Sequence, residues 1–323
     1  MKTRELIFDD PLEDLFDAAS TPTEPQQPRP EPPPAYTPPT YTEPCPKCGG
    51  SGRFFGRMPA EMADGAQRWA VELDTLTGAL MGALFPQAHV QVMGLQEANI
   101  PDDAFDVAIT NVPFSRDVRI GSGQDRQLDD PRIRNLSLHN YFFAKSLMKV
   151  RPGGVVAFIT THNTMDARGA TGFRTWLSER ADLLGAIRLP QDAFPDTAVT
   201  TDIIFLQKRA TPRPEGQPTP AWVTVESQGE GEGGYTLNRY YVQHPEMALG
   251  RHTTSEGRGQ YGAHEYRLVK TGDVTAQLTD AIGTLPEDVV TPAPTAPSFD
   301  TSLQDRIEAA SHKPGAYVVK NGE

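Results

Sequence analysis

Cysteine is nearly absent from this 323-residue chain: Cys45 and Cys48 are the only two. That excludes a disulfide framework, and a closed four-ligand metal site would need other side chains to complete it. A net basic surface is also missing. The formal charge is −12, which argues against a binder that works through a whole-surface positive field. No apolar run approaches the length of a membrane span. No basic-then-apolar segment opens the chain, because Glu5, Asp9 and Asp10 come too early. These absences lead to the expectation of a cytoplasmic protein with reduced thiols and no membrane partner.

What is present is unevenly spread. The prolines crowd the first 45 residues and the stretches 211–220 and 286–297, where a packed core is least expected. Acidic residues concentrate on the same flanks. Residues 1–44 hold 9 acidic and 3 basic side chains, residues 45–210 hold 18 of each, and residues 211–323 hold 15 and 9. A neutral centre with local arginines can still engage DNA, through a focused groove. The expected organisation is a disordered acidic, proline-rich tail over 1–44, a Cys-x-x-Cys-Gly-Gly-x-Gly segment over 45–52, and a folded core over 53–209. A Pro/Gly/Glu linker over 210–234, a small appendage over 235–285 and a mostly disordered tail over 286–323 follow. In the first tail, Leu6, Ile7, Phe8, Leu12, Leu15 and Phe16 read as a marginal helix or as a peptide that docks on a partner.

Between 53 and 209, apolar runs alternate with amphipathic segments, the pattern of an α/β sheet covered by helices. Strands are expected at Trp69–Leu73, Val90–Met93, Phe105–Ile109, Val155–Ile159, Leu183–Ile187 and Asp202–Leu206. Helices are expected at Leu76–Phe85, Tyr141–Val150 and Arg174–Ala181, with Lys145 and Lys149 on the polar side of the second. The turn Arg151-Pro152-Gly153-Gly154 stops that helix. The short link from Leu189 to Thr201 holds no crossover helix, so Asp202–Leu206 is expected to run antiparallel to its neighbours.

One turn carries chemistry. Asn111-Val112-Pro113-Phe114 directly follows the strand Phe105–Ile109. An exocyclic amine is a poor nucleophile because its lone pair is delocalised into the ring. An Asn side-chain oxygen and a backbone carbonyl can accept its two N–H bonds and free the lone pair for a methyl donor. Pro113 fixes the backbone so that a neighbouring carbonyl points inward, and Phe114 offers a face on which a flipped base stacks.

The stretch Arg53 to Arg209 resembles the adenine-N6 DNA methylase domains of plasmid, phage and mobile-element proteins, often joined to a large helicase. The resemblance is carried by Gly52-Arg53-Phe54-Phe55-Gly56, Ala70-Val71-Glu72-Leu73-Asp74, Phe105 to Phe114, Tyr141 to Leu147, Val150 to Thr160, Arg180 to Pro190 and Val199 to Arg209. The run Tyr240 to Arg251 resembles the segment that follows the methylase core. The resemblance implies a class I, Rossmann-like methyltransferase sheet, S-adenosylmethionine as cofactor, and restriction-modification or mobile-element biology. It also implies DNA as partner, with a helicase encoded separately or lost. Asn111, Pro113 and Phe114 would be catalytic. Glu72 would accept hydrogen bonds from the cofactor ribose, Gln96 or Glu97 would meet the cofactor adenine, and Gly50 and Gly52 would let the backbone approach the methionine part.

The pattern breaks at the start. Relatives carry an apolar strand, then Glu-Pro, two small residues and Gly-x-Gly. Here Thr42-Glu43-Pro44 is followed by Cys45-Pro46-Lys47-Cys48-Gly49-Gly50-Ser51-Gly52, and only Thr40-Tyr41-Thr42 precedes it as a strand. The first strand is therefore expected to be degenerate or missing. The Cys45–Cys48 pair looks like half of a zinc knuckle, which implies a methylase truncated at its N-terminus and joined to a knuckle-like segment. His89, His139 and His162 are the nearest further ligands, and no close His pair completes a site. The alternative to an active enzyme is a non-catalytic remnant that serves as a DNA- or protein-binding module.

Overall fold

A computed structural model describes residues 4–8, 52–113, 119–121, 135–194, 199–229, 234–255 and 265–290. The strands of the main sheet are β1 (Arg4–Phe8), β2 (Gln67–Glu72), β3 (His89–Val92), β4 (Phe105–Asn111), β7 (Val150–Thr161), β8 (Ala181–Leu189) and β9 (Thr201–Lys208). A short hairpin of β5 (Arg119–Gly121) and β6 (Asn135–Ser137) precedes α4 (Leu138–Lys149). Helices α1 (Arg53–Arg57) and α2 (Ala60–Ala63) lead into β2, and α3 (Thr75–Leu84) joins β2 to β3. Helices α5 (Asn163–Asp166) and α6 (Thr171–Arg180) join β7 to β8.

The order across the sheet is β3-β2-β1-β4-β7-β9-β8. The first five strands run parallel, and β9 is antiparallel to both β7 and β8. This is the Rossmann-like α/β sheet order that the resemblance implies, with the reversed strand at the place that the short Leu189–Thr201 link requires. The expected strands and helices of the core all form; β3 and α3 keep the expected length with a shift of one residue, and β7, Val150–Thr161, extends furthest beyond the apolar run that marks it. The turn Arg151–Gly154 does end α4, and it becomes a bulge at the start of β7, where the register to β4 shifts between Phe105 and Val107. Arg151 holds that bulge with hydrogen bonds to Asp106 at 2.8 Å.

Three expectations are corrected. First, the centre of the sheet is filled. Arg4–Phe8 lies between β2 and β4, with Leu6 opposite Trp69 on one side and Ala108 on the other. The strand is therefore neither degenerate nor missing, and it is not drawn from Thr40-Tyr41-Thr42. Leu6-Ile7-Phe8 is a continuous apolar run, the pattern of a strand paired with parallel neighbours on both edges. Second, Lys145 and Lys149 are buried. The segment from Ile100 to Asp106 passes beside the end of α4, and the Lys149 ammonium donates to the Ile100 carbonyl at 2.9 Å and to Asp102 at 2.6 Å. Third, part of the stretch expected as a linker, the turn at Trp222 and Val223, belongs to the packed body, while residues 214–219 before it are exposed. Trp222 and Val223 are buried in the same cluster as Phe158, Trp176 and Ile204, because Arg174 donates to the Val223 carbonyl at 2.9 Å and draws that turn onto α6.

Behind this turn the chain adds two hairpins and two helices. Strands β10 (Val225–Gln228) and β11 (Tyr235–Asn238) pair antiparallel, followed by α7 (Arg239–Gln243). Strands β12 (Arg251–Thr254) and β13 (Tyr266–Val269) form the second hairpin, and α8 (Val274–Ile282) follows. They are joined to the sheet through Arg188. Its guanidinium is fully buried and donates to both oxygens of Asp202 at 2.7 and 2.9 Å, to Asp166 at 2.6 Å and to the Tyr266 hydroxyl at 3.1 Å. It also lies 4.1 Å from the centre of the Tyr241 ring. Asp166 in turn accepts the Asn238 backbone N–H at 2.9 Å. Burial pushes both carboxyls above their usual range, and Arg188 opposes that push. Arg174, brought by burial to about 10, is the second cation beside Asp166, so two cations balance two carboxylates. The Tyr266 hydroxyl passes the chain of hydrogen bonds on to His252 Nδ1 at 2.7 Å. Since Tyr266 accepts from Arg188, it donates to an unprotonated imidazole.

Three outcomes are expected. Removing residues 1–8 should expose the facing edges of β2 and β4, and hydrogen exchange should show loss of protection for amides from Trp69 to Val71 and from Val107 to Ile109; unchanged protection would mean that β1 is not a structural member of the sheet. Asp202→Ala leaves the Arg188 charge buried with half its partners and should cost about 3–5 kcal/mol in urea denaturation; a loss well under that would show that water reaches the site. Burial, with Arg188 nearby, brings the His252 pKa from 6.5 to about 4. The unfolded chain then binds the proton first, so stability should fall as pH drops from about 6.5 towards 4. His252→Gln, measured by thermal unfolding against pH, should flatten that part of the profile.

Candidate functional site

The parallel strands present their carboxyl ends at one edge, and the order reverses between β1 and β4. In open α/β sheets that reversal point is where the crevice for a ligand forms. Register fixes what stands there. Phe8 pairs with Val71 on one side and with Thr110 on the other. Glu72 and Asn111 are therefore one step beyond, at equal height, separated by the width of β1. Two strand spacings place their backbones about 10 Å apart.

Asn111 is the last residue of β4 and is exposed at this edge, while Val112 and Pro113 behind it are buried. The Val112 N–H donates to the Ile159 carbonyl at 2.9 Å and closes the ladder to β7. Pro113 has no N–H and cannot extend it. The Thr110 hydroxyl, fully buried, donates to the Asn111 carbonyl at 3.3 Å. The backbone is thus held on both sides of an Asn that is exposed at the carboxyl edge of the sheet.

Glu72 is buried at the end of β2, and one of its carboxylate oxygens accepts the Asp74 N–H at 2.8 Å. Its carbonyl accepts the Met93 N–H at 2.9 Å, which ties the ends of β2 and β3 together. Asp74 caps α3 by accepting the Thr77 N–H at 2.5 Å, and hydrogen bonds from Thr77 hold its carboxyl below the usual range. This cap sets the direction in which the chain leaves Glu72. Beyond β3, Gly94 begins a turn in which its carbonyl accepts the Glu97 N–H at 2.9 Å. The Gln96 amide folds over Gly94, so closely that any Cβ there would lie 2.4 Å from it, and Glu97 is exposed.

Gly52 is not brought to this edge. Helix α3 runs from the carboxyl end of β2 to the amino end of β3, and Phe85 follows its last turn. Gly52, at a φ of 74°, sits against the Phe85 ring, where a Cβ would come within 2.4 Å of a ring carbon. The Phe55 ring next along the chain meets Phe85 edge-on at 5.3 Å, and the Arg68 guanidinium lies 6.0 Å from it at the start of β2. Gly52 therefore packs at the amino edge, opposite Asn111. Gly50, Phe114, Cys45 and Cys48 lie outside the described residues. Of the three histidines, His89 stacks on Trp69 at the amino end of β3, His139 contacts Ser137 at the start of α4, and His162 stands just past β7.

Sequence reasoning passed over the neighbours that complete the edge. Ile159 is in register with Asn111, and Thr160, Thr161 and His162 continue past it. The His162 N–H donates to the Thr200 carbonyl at 3.1 Å, joining β7 to the start of β9, and Thr160 and Thr164 share a hydrogen bond at 3.0 Å. The signal for them is a run of small polar residues, Thr160-Thr161-His162-Asn163-Thr164, directly after an apolar strand. Arg188 and Asp202 were equally legible as charges directly beside the apolar runs of two strands.

Comparison with known proteins covers this edge. Residues 86–225 match the family model described as N-6 DNA Methylase. The chain is 28% identical over 162 residues to Defense against restriction protein B of Escherichia phage P1, covering 49% of this chain and 7% of that protein. It is 30% identical over 184 residues to Type II methyltransferase M.XamI of Xanthomonas campestris pv. amaranthicola, covering 51% of this chain and 34% of that protein. The chain thus spans only a small part of either relative. Among solved structures, the EcoKI M protein of a type I restriction enzyme is similar at 19% identity with a TM-score of 0.39, covering 49% of this chain and 35% of that one. The methyltransferase subunit of a type I restriction-modification system from Streptococcus thermophilus gives 20% identity and a TM-score of 0.38, covering 46% and 35%. The match to the family begins after Glu72 and runs from the approach to β3 to the start of β10, so over the part of the sheet that carries Asn111 this chain is similar to N-6 DNA methylases.

Proposed function

We propose that this chain methylates the exocyclic N6 of adenine in DNA, with S-adenosylmethionine as the donor. The observation that supports the reading best is the pairing of Asn111 and Glu72 at equal height on either side of β1, with Pro113 closing β4. S-adenosylmethionine, when bound, supplies a methyl group on a positively charged sulfonium. Glu72 fits such a group by its chemistry and its place: its carboxylate accepts hydrogen bonds, as it does from the Asp74 N–H at 2.8 Å, and it ends β2 at the carboxyl edge of the sheet, where ribose hydroxyls would donate to it. Gln96 and Glu97, beyond β3, stand on the side where the cofactor adenine would lie.

Asn111 acts on the substrate. Its side-chain oxygen accepts one N–H of the adenine amine, and a carbonyl of the Val112-Pro113 turn accepts the other. The nitrogen lone pair then leaves conjugation and points across the crevice towards the Glu72 side. The proton displaced after transfer passes to water. Phe114 follows directly and is assigned the stacking of the flipped base. Gly52 packs on Phe85 at the other edge of the sheet, away from the place where the methionine part would lie.

That same placement of Gly52 favours a second reading, a non-catalytic module that keeps the sheet and its DNA-facing edge. Calorimetry with S-adenosylmethionine separates the two. Binding in the micromolar range supports the enzyme, and no binding supports the module. Under the first reading, Asn111→Ala should lower tritium transfer to adenine-bearing DNA by roughly 100-fold or more, while calorimetric cofactor affinity stays within about twofold. An equal loss of cofactor affinity would show that Asn111 serves the cofactor instead.

A further inference from the structure

The hairpin of β12 and β13 stands at the same edge as Asn111 and has two unlike faces. Directly opposed residues share a face in an antiparallel pair. His252 opposes Leu268 and Thr254 opposes Tyr266; Leu268 is fully buried and Tyr266 is hydrogen-bonded to Arg188, so this face turns inward. Arg251 opposes Val269 and Thr253 opposes Arg267, and these form the outer face. Arg251 is exposed, and the Arg267 side chain is 38% exposed. Among the described residues no carboxylate pairs with Arg251, and Arg267 reaches Glu265 only at 4.0 Å. Lys270, by contrast, is occupied by Asp192 at 2.8 Å.

The base of the hairpin is pinned to the sheet. The Leu268 N–H donates to the Thr200 hydroxyl at 3.0 Å, and the Leu268 carbonyl accepts the Gln191 N–H at 3.1 Å. Gly250 lies against β13 so closely that a Cβ would come within 2.4 Å of the Val269 carbonyl oxygen. Thr200 in turn bonds His162, which follows the β7 residues in register with Asn111. From β4 across β7 to β9 is two strand spacings, about 10 Å. Grooves of duplex DNA are about 6–12 Å wide, so a duplex with one base at Asn111 would bring phosphates to the hairpin. The charge is local to it. Residues 251–270 hold four basic and two acidic side chains, whereas the rest of 211–323 holds five and thirteen.

We propose that the outer face of this hairpin, through Arg251, Arg267 and Thr253, grips the phosphate backbone of duplex DNA beside the target adenine. The inference rests on the reading of DNA as the substrate. Arginine forks match phosphate oxygens in pairs, and the Thr253 hydroxyl, which donates to the Thr254 carbonyl at 3.4 Å, turns from it to donate to a phosphate oxygen between them. Such contacts position a duplex without reading its sequence. They also explain how a chain of net charge −12 can hold a polyanion: two guanidiniums fixed on a stiff hairpin act where the general field does not.

The test uses the whole chain and a short fluorescein-labelled duplex, with anisotropy followed over a series of salt concentrations. Each phosphate contact contributes about 0.9 to the slope of log K against log salt. The R251A/R267A double variant should lose about two units of slope and roughly tenfold or more in affinity at low salt. R251K/R267K keeps the charges and should retain most of the slope, which separates lost contacts from a damaged hairpin. R53A/R57A, with two exposed arginines on α1 at the other edge, should behave as the wild type. If the wild type binds the duplex and R251A/R267A matches it in affinity and slope, the hairpin proposal falls and the methylase reading stands. If the wild type binds no duplex at any salt concentration, the DNA reading falls and takes the hairpin with it.

Discussion

The geometry of the site depends on one strand being paired along both edges. Two parallel strands, β2 and β4, each need a row of backbone partners, and Arg4–Phe8 supplies both. Because one strand sets the register of both neighbours, the ends of β2 and β4 cannot slide independently. Glu72 and Asn111 are level for that reason and not through any contact between them. A shift of one residue in either pairing would turn one of the two side chains to the opposite face of the sheet. A methyl donor and an acceptor amine need such a fixed offset, since transfer demands that their atoms meet in line.

The other half of the body depends on buried charge. Arg188 gathers Asp202 from β9, Asp166 from α5 and Tyr266 from β13, while Asp166 holds the amide of Asn238 at the end of β11. Apolar packing alone would let these pieces meet in several ways. A guanidinium with fixed donor directions admits far fewer, because each misplaced partner leaves a charge uncompensated in a dry interior. The network sits beside the carboxyl edge, so the piece that carries the basic hairpin is aligned with the strands that carry Asn111.

Most of the sheet was legible in the sequence because its strands are short apolar runs separated by helical spacing or tight turns. The reversed strand followed from the length of one link, Leu189 to Thr201. Asn111 was legible because a polar residue and a proline end a strand that is otherwise apolar. The first strand was not. Leu6-Ile7-Phe8 is too short for its periodicity to separate strand from helix, and its partners come from far along the chain. Glycines mark close approach without saying to what, so Gly52 fitted a cofactor loop as well as it fits the Phe85 ring. The acidic surroundings of the third segment likewise hid a hairpin whose two faces differ only by alternate residues.

The central strand also has a temporal consequence. Leu6 pairs with Trp69 and with Ala108, about 60 and 100 residues further along. During synthesis the innermost strand is therefore made first and waits longest, since its second partner does not exist until β4 has been completed. Contacts of such sequence separation close slowly. In the interval Leu6, Ile7 and Phe8 form an apolar segment with both backbone edges open, the kind of segment that pairs with whatever strand is near. The acidic residues that surround it, Glu5 before and Asp9 and Asp10 after, place like charges beside any second copy of that segment.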